Sequence, residues 1–350
     1  MLRVGYFGTW ESGYPRNEQV ISCLRRAGAE VTEIHQPVWT DEHKFGAGLR
    51  LLPRLAAAET RLLARRLPDD LDVLLVGYPG QRDVWPATRH GLPVVFNAMV
   101  SLYDTFVDDR ARFRAGTLPA RALRALDRAA FRRAQLVVAD TAANAAYFST
   151  LADLDDVAHC YVGAEERIFE HRWQPPENFT VLFVGKLIPL HGLPLILEAA
   201  RRLPDVSFRL IGSGQQAPVI ADRPANVEHV PWVPYERLAD EYARAGCALG
   251  IFGSSDKVGR VIPNKAFQAL AVGTPLITAD TPAARELLTG GTDALLVERS
   301  AAALADAIRT LRDTDAGARL GGAGRATFER EASETVLGRR WLGLLQELVA

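Results

Sequence analysis

Short apolar, β-favouring runs alternate with longer amphipathic stretches, first up to about residue 172 and again from residue 180. Strands separated by helices cannot pair as hairpins, so the alternation calls for parallel strands in an α/β sheet. The first-half runs are Leu2–Phe7, Val31–His35, Val73–Val76, Val94–Phe96 and Leu136–Ala139. The second-half runs are Thr180–Val184, Ser207–Ile211, Val227–His229, Ala248–Ile251, Leu276–Thr278 and Ala294–Val297. Between them Trp173-Gln174-Pro175-Pro176-Glu177-Asn178 breaks the pattern and reads as a linker. A chain of 350 residues is too long for one ordinary core. Two domains are therefore expected, residues 1–172 and 179–332. The segment 333–350, apolar at Trp341, Leu342, Leu344, Leu345 and Leu348, is expected to pack back on the first. Two such halves put a cleft between them, and ligands of α/β sheets bind beyond the carboxyl ends of the strands.

A net charge of −1 argues against whole-protein attraction to nucleic acid. The opening MLRVGYFGTW reads as a core strand and not as a signal peptide, and no stretch approaches the roughly 18 apolar residues of a membrane span. Cys23, Cys160 and Cys247 are widely spaced without a C-x-x-C pair, which fits reduced thiols and offers no metal site. A cytoplasmic protein is expected.

The stretch VLFVGKLIPLHG, residues 181–192, raises the chemical question. A strand stops at Gly185 just before a helical pattern starts, and backbone N–H groups at a helix start attract anions. Lys186 adds a full positive charge there. Gly212-Ser213-Gly214 follow another strand, Gly253-Ser254-Ser255 a third, and Gly273-Thr274 precede a fourth. One such glycine pair is weak evidence, since turns use glycine for its dihedral freedom alone. Several along one sheet edge point to a diphosphate, with plain turns as the alternative.

Four segments in order, FVGKLIPLHG, LIGSG, GRVIPNKAFQALAVGTPLITADTPAARELL and DALLVERSAAALADAI, resemble the donor half of a family 4 glycosyltransferase over about residues 180–315. The first half resembles the family more loosely, through its glycine loop after strand one and VGAEERIF. The resemblance implies a GT-B fold, two Rossmann-like domains facing a central cleft. It implies retaining transfer of a hexosyl-type sugar from a nucleotide-diphosphate sugar to an acceptor hydroxyl, with no metal or other cofactor. Donor contacts carried over are Gly185, His191, Gly212, Ser213, Gly214, Asn264, Lys265, Gln268 and Glu286. Lys186 fills the place of the first phosphate-binding cation, without arginine's two-pronged fork. His191 fills the second, where it is cationic only if protonated, or simply closes the turn. Two family glutamates eight residues apart are here Arg260 and Gln268. An amide still suits ribose hydroxyls, so Gln268→Glu is expected to be tolerated. Arg260 favours an anionic partner near the donor sugar, or pairs with Asp256. Asn264 also fits the N-cap of a helix Lys265–Ala271. Glu286 is either a donor contact or structural.

The first half says less. Gly13, Tyr14 and Arg16 are expected in an acceptor-side loop. In the loop from Asn97 to Thr105, Asp104 is the polar group expected to face the cleft, with a cap or turn role as the alternative. Asp140-Thr141 can cap the helix Ala142–Phe148. Lys186, Asp104 and Arg260 are the catalytic candidates. Lys186 and the N–H groups of Gly185 and Gly212 would stabilise the leaving diphosphate. Six basic residues lie between Lys44 and Arg66, and Arg121, Arg124, Arg128 and Arg132 recur at helical spacing. These are a solvated face, or a basic surface for an anionic membrane or a phosphate-bearing acceptor. Expected partners are a nucleotide sugar and a glycan, lipid-linked or small-molecule acceptor, with peripheral contact at the inner face of a membrane. Two other functions fit the same plan: a sugar-nucleotide epimerase or hydrolase, and a catalytically weak nucleotide-sugar-binding protein.

Overall fold

A computed structural model describes residues 1–39 and 51–350, and these divide into two compact units. The first comprises Met1–Val107, Ala111–Val162 and Glu334–Ala350; the second comprises Asp108–Arg110 and Gly163–Ser333.

The first unit holds a six-stranded parallel sheet of β1 (Arg3–Gly8), β2 (Glu30–His35), β3 (Val73–Val76), β4 (Val94–Asn97), β5 (Leu136–Ala139) and β6 (Ala158–His159). Their spatial order is β2-β1-β3-β4-β5-β6. The helices are α1 (Pro15–Arg26), α2 (Leu52–Ala64), α3 (Val84–Ala87), α4 (Leu118–Arg133) and α5 (Ala142–Ala152). All four residues of β3 and of β4 are buried. That is why these strands read as unbroken apolar runs, since a parallel sheet is covered on both faces. The two-residue β6 has no apolar run and leaves no trace in the pattern. Of the basic stretch from Lys44 to Arg66, Lys44 and Arg50 lie outside the described residues.

The second unit repeats the plan with β7 (Thr180–Val184), β8 (Ser207–Ile211), β9 (Val227–Val230), β10 (Cys247–Leu249), β11 (Leu276–Ala279) and β12 (Leu295–Val297), ordered β12-β11-β10-β7-β8-β9. Its helices are α6 (Leu193–Arg201), α7 (Leu238–Arg244), α8 (Asn264–Val272), α9 (Pro282–Leu287), α10 (Ala301–Asp313) and α11 (Ala316–Glu331). Counted along the chain, this is the Rossmann strand order.

The unit boundary differs from the expected linker. Residues 163–172 belong to the second unit, and the Pro175-Pro176 stretch is fastened to it at its start. Trp173 is buried, its Nε1 donates to the Ala245 carbonyl at 2.7 Å, and its backbone N–H donates to the Val272 carbonyl. Composition suggests a free connection, but a tryptophan needing both burial and a hydrogen-bond partner is anchored instead. The closing helix α12 (Glu334–Val349) belongs to the first unit and lies against α1. Gly338 permits the approach, because a Cβ there would sit 2.3 Å from the Cys23 carbonyl oxygen. Trp341 is fully buried, with the Arg16 guanidinium 5.4 Å from its ring centre.

Candidate functional site

The strand order of the second unit reverses between β7 and β10, and ligands of such sheets bind at that switch point. The loops leaving these two strands are laced together. The Gly253 N–H donates to the Leu190 carbonyl and the Phe252 N–H to the His191 carbonyl. A Cβ on Gly192 would meet the Phe252 backbone at 2.5 Å, in a conformation (φ +72°) that already favours glycine.

The strand-end glycines hold a different role from the one expected. The Gly185 N–H donates to the Ile211 carbonyl and the Gly212 N–H to the Val230 carbonyl, so both are engaged in extending the ladder. Gly212 is needed because a Cβ would lie 2.0 Å from the Gly185 carbonyl oxygen; Gly214 meets the Leu187 backbone in the same way. Between these two glycines, the Ser213 carbonyl accepts from the Leu187 N–H. At Gly185 a Cβ would sit 2.8 Å from Lys265 Nζ and 3.1 Å from His191 Cε1. The missing side chain makes room for a cation carried by another element.

That cation comes from the first turn of α8. Lys265 is 5% exposed, its Nζ lies 3.7 Å from the centre of the Phe183 ring, and among the described residues nothing accepts a hydrogen bond from it. Burial holds its ammonium well below the usual lysine range. The helix begins at Asn264 itself, with Pro263 in the capping position, so Asn264 is not the N-cap it was expected to be. Its buried Oδ1 finds no donor among the described residues. A buried donor and a buried acceptor are thus left open side by side on one helical turn, each a cost unless something else fills it.

His191 ends the short turn Pro189–His191 that leads into α6. It is buried, its Nδ1 donates to the Lys186 carbonyl, and its ring meets Phe183 edge-on. Burial first, and then the neighbouring Lys265 charge, drive its pKa well below the usual histidine value. This hydrogen bond closes the turn between Lys186 and His191. Lys186 itself is exposed at the end of β7.

Gln268 is also buried, and its amide is already engaged. Tyr242 donates to its Oε1 at 3.1 Å, and its Nε2 donates to the Tyr235 hydroxyl at 3.4 Å. Arg260 follows the short turn Asp256–Gly259 after β10, and Glu286 is half-buried on α9.

In the first unit the order reverses between β1 and β3. Gly13 and Tyr14 precede α1, where the Tyr14 ring lies 4.7 Å from that of Tyr78. Arg16 is not in an acceptor loop. It is fully buried inside α1, with Nε donating to Asn97 Oδ1 and Nη1 to the Cys160 and Tyr161 carbonyls. Helix geometry turns it inward, where three acceptors at and beyond the strand ends hold it. Asp104 is buried at the start of the π-helical turn Asp104–Asp109, and its N–H donates to Ser101 Oγ.

Two acids of this unit escape the sequence. Asp127 accepts from Ser101 Oγ and from the N–H groups of Leu102 and Tyr103, and burial raises its pKa to about 6. It therefore organises the loop that carries Asp104. A signal exists: with Ala130 and Phe131 it shares the buried face of α4. Asp83 accepts from the Thr9 N–H and hydroxyl at 2.7 and 2.9 Å, and burial raises its pKa to about 7. Nothing in its local sequence marks it. Among the described residues no group of three or more His, Cys, Asp or Glu could hold a metal ion.

Comparison with known proteins gives this geometry a class. Residues 194–336 match a family model described as glycosyl transferase-like. A D-inositol 3-phosphate glycosyltransferase of Mycobacteroides abscessus is 30% identical over 184 residues, covering 49% of this chain and 38% of that relative. The chain thus spans less than half the length of the curated relatives it matches. Sucrose-phosphate synthase from Thermosynechococcus elongatus superposes with a TM-score of 0.75 at 17% identity, covering 99% of both chains. The Anabaena protein HepE, solved in complex with UDP-glucose, gives 0.70 at 16% identity over 99% of both. The fold is that of the GT-B glycosyltransferases, two Rossmann-like domains, and the second carries the glycosyl transferase-like segment up to Ser333.

Proposed function

We propose that this chain is a group 1 glycosyltransferase. It moves a sugar from a nucleotide-diphosphate sugar to an acceptor hydroxyl with retention at the anomeric carbon. The observation that carries the reading is the buried Lys265 ammonium, without a hydrogen-bond acceptor among the described residues, beside Gly185 at the switch point. A desolvated cation is costly until an anion meets it, and a diphosphate is the anion that suits this place in a Rossmann sheet. HepE, of the same fold, was solved with UDP-glucose, and the curated relative is named a glycosyltransferase, which supports a sugar nucleotide as the donor.

As the glycosidic bond breaks, negative charge grows on the departing diphosphate. Lys265 and the exposed Lys186 meet that charge more strongly in the transition state than in the ground state, which is what lowers the barrier. Removing one such donor typically costs on the order of 100-fold in rate. The departing phosphate can itself take the acceptor's proton, so retention requires no protein base.

The test is a panel of nucleotide sugars scored by thermal shift, then by mass spectrometry with and without acceptor sugars. Stabilisation by one donor, slow hydrolysis alone and glycosylated product with an acceptor are expected. Epimerised donor without acceptor would replace the reading by an epimerase, and binding without turnover by a sensor. No response to any nucleotide would remove it.

A further inference from the structure

We infer that the outward face of α4 docks this protein onto an anionic membrane surface. An ordinary surface helix buries its apolar stripe and turns polar residues to water. On α4 the buried face holds Ala120, Asp127, Ala130 and Phe131. The exposed face holds Leu118, Ala122, Ala125 and Ala129, with Leu118 itself 78% exposed. At 3.6 residues per turn these four fall within about 60° of one another, so they form one outward apolar stripe. Arg121, Arg128 and Arg132 flank it on one side and Arg133 on the other.

The sole acid of the helix points inward, where Ser101, Leu102 and Tyr103 hold it. The outward residues of α4 itself therefore carry positive charge and no acid, in a chain whose net charge is −1. Among the described residues no carboxylate pairs with Arg121 or Arg128, whereas Arg132 is tied to Asp153 at 3.0 Å. The surface continues onto α3, which packs against α4. On α3 Trp85 is 43% exposed; in the turn that follows, the Arg89 guanidinium lies 5.0 Å from the Trp85 ring centre and Thr88 Oγ1 accepts from Arg133.

An apolar stripe between arginines suits a helix lying in a lipid interface. The stripe enters the headgroup boundary while the arginine stems lie along it with their charges toward phosphates. A soluble polyanion would use the arginines and leave Leu118 and the alanine stripe in water, which is why the membrane is the favoured partner.

The experiment is cosedimentation of the full chain with vesicles of phosphatidylcholine alone or of phosphatidylcholine with phosphatidylglycerol, at low and high salt. Binding only to the anionic vesicles, weakening with salt, is expected. Each arginine near such a surface is worth about fivefold, so Arg121→Gln with Arg128→Gln should weaken binding about 25-fold. Ala125→Asp, which leaves every arginine in place, should weaken it too. Thermal unfolding of each variant separates a lost surface from a lost fold. No binding to anionic vesicles at low salt overturns the inference, as does binding that the double variant leaves intact. Unchanged binding in Ala125→Asp, with heparin competing fully, would reassign the face to a soluble polyanion.

Discussion

Replacing Lys265 by methionine should strengthen the ligand-free fold and weaken the donor complex. Methionine fills nearly the same volume beside Phe183 and Gly185 but carries no charge to desolvate. A buried group without a hydrogen-bond partner costs about 1–3 kcal/mol, and the Phe183 ring face offsets about 0.5–2 kcal/mol of it, so Lys265→Met should raise the free energy of unfolding by about 1 kcal/mol. The native state holds its ammonium less tightly than the unfolded chain, since burial lowers the pKa from the ordinary 10.5. Between its lowered native value and 10.5 the unfolded chain therefore binds more protons at this residue, and stability from this group rises with pH through that window. The methionine variant lacks that slope.

Binding should move the other way. A hydrogen bond between ammonium and phosphate contributes about 1.5–3 kcal/mol, which is roughly 10- to 150-fold in the dissociation constant of UDP. Thermal unfolding at a series of pH values rising from neutral to the ordinary lysine value of 10.5 reads the first effect, and calorimetry with UDP and with uridine reads the second. Affinity for uridine, which has no phosphate, should be unchanged. Equal UDP affinity in wild type and variant would refute the placement of the diphosphate at Lys265. A variant less stable than wild type would refute the account of the ammonium as a buried charge that lacks a hydrogen-bond acceptor.

Gln268→Glu, which the sequence alone makes tolerable, should destabilise the fold by about 1–3 kcal/mol. The amide donates to the Tyr235 hydroxyl, and a carboxylate cannot, so chemical denaturation at neutral pH should show the loss. Asp127→Asn leaves donors from Ser101 and Tyr103 facing an amide nitrogen, and should slow transfer by loosening the segment before Asp104. Because burial raises the Asp127 pKa from 3.8 to about 6, the native state holds the extra proton between those values. Stability from this group therefore falls as pH rises through that window, and the asparagine variant should lack this fall in a thermal-melt series.

The sheets are legible because central strands such as β3 and β4 are apolar along their length, and the alternation of strand and helix leaves few topologies. The edges are not. A two-residue strand such as β6 has no pattern, and Trp173 within a proline-rich stretch looks like linker until its hydrogen bond to Ala245 is seen. In the site, the sequence separates residues that space brings together: Gly185 and Lys265 lie 80 positions apart (265 − 185) and are neighbours. The glycines stand out for their freedom, but what fills the room beside them depends on which helix arrives there. Arg16 shows the converse: adjacency to a glycine loop suggests a ligand contact, while one turn of helix carries it into the core.

The cation missing from position 191 and the cation present at 265 are best understood together. His191 Cε1 and Lys265 Nζ both crowd the place a Cβ on Gly185 would take, so the two side chains share one desolvated space. Two ammonium groups there would repel without water to screen them, and the Lys265 charge already helps to keep His191 neutral. His191→Lys, although it restores the residue the family resemblance calls for, should therefore destabilise the fold and fail to improve UDP binding. In the Lys265→Met background the same change removes the repulsion and supplies one cation near Gly185, so it should recover part of the lost UDP affinity. Neighbouring groups of this kind couple by about 0.5–3 kcal/mol, and the two single variants with the double one form a cycle that measures it. If the stability effects of the two changes simply add, the residues do not share a site, and Lys265 is not the spatial replacement for the missing cation.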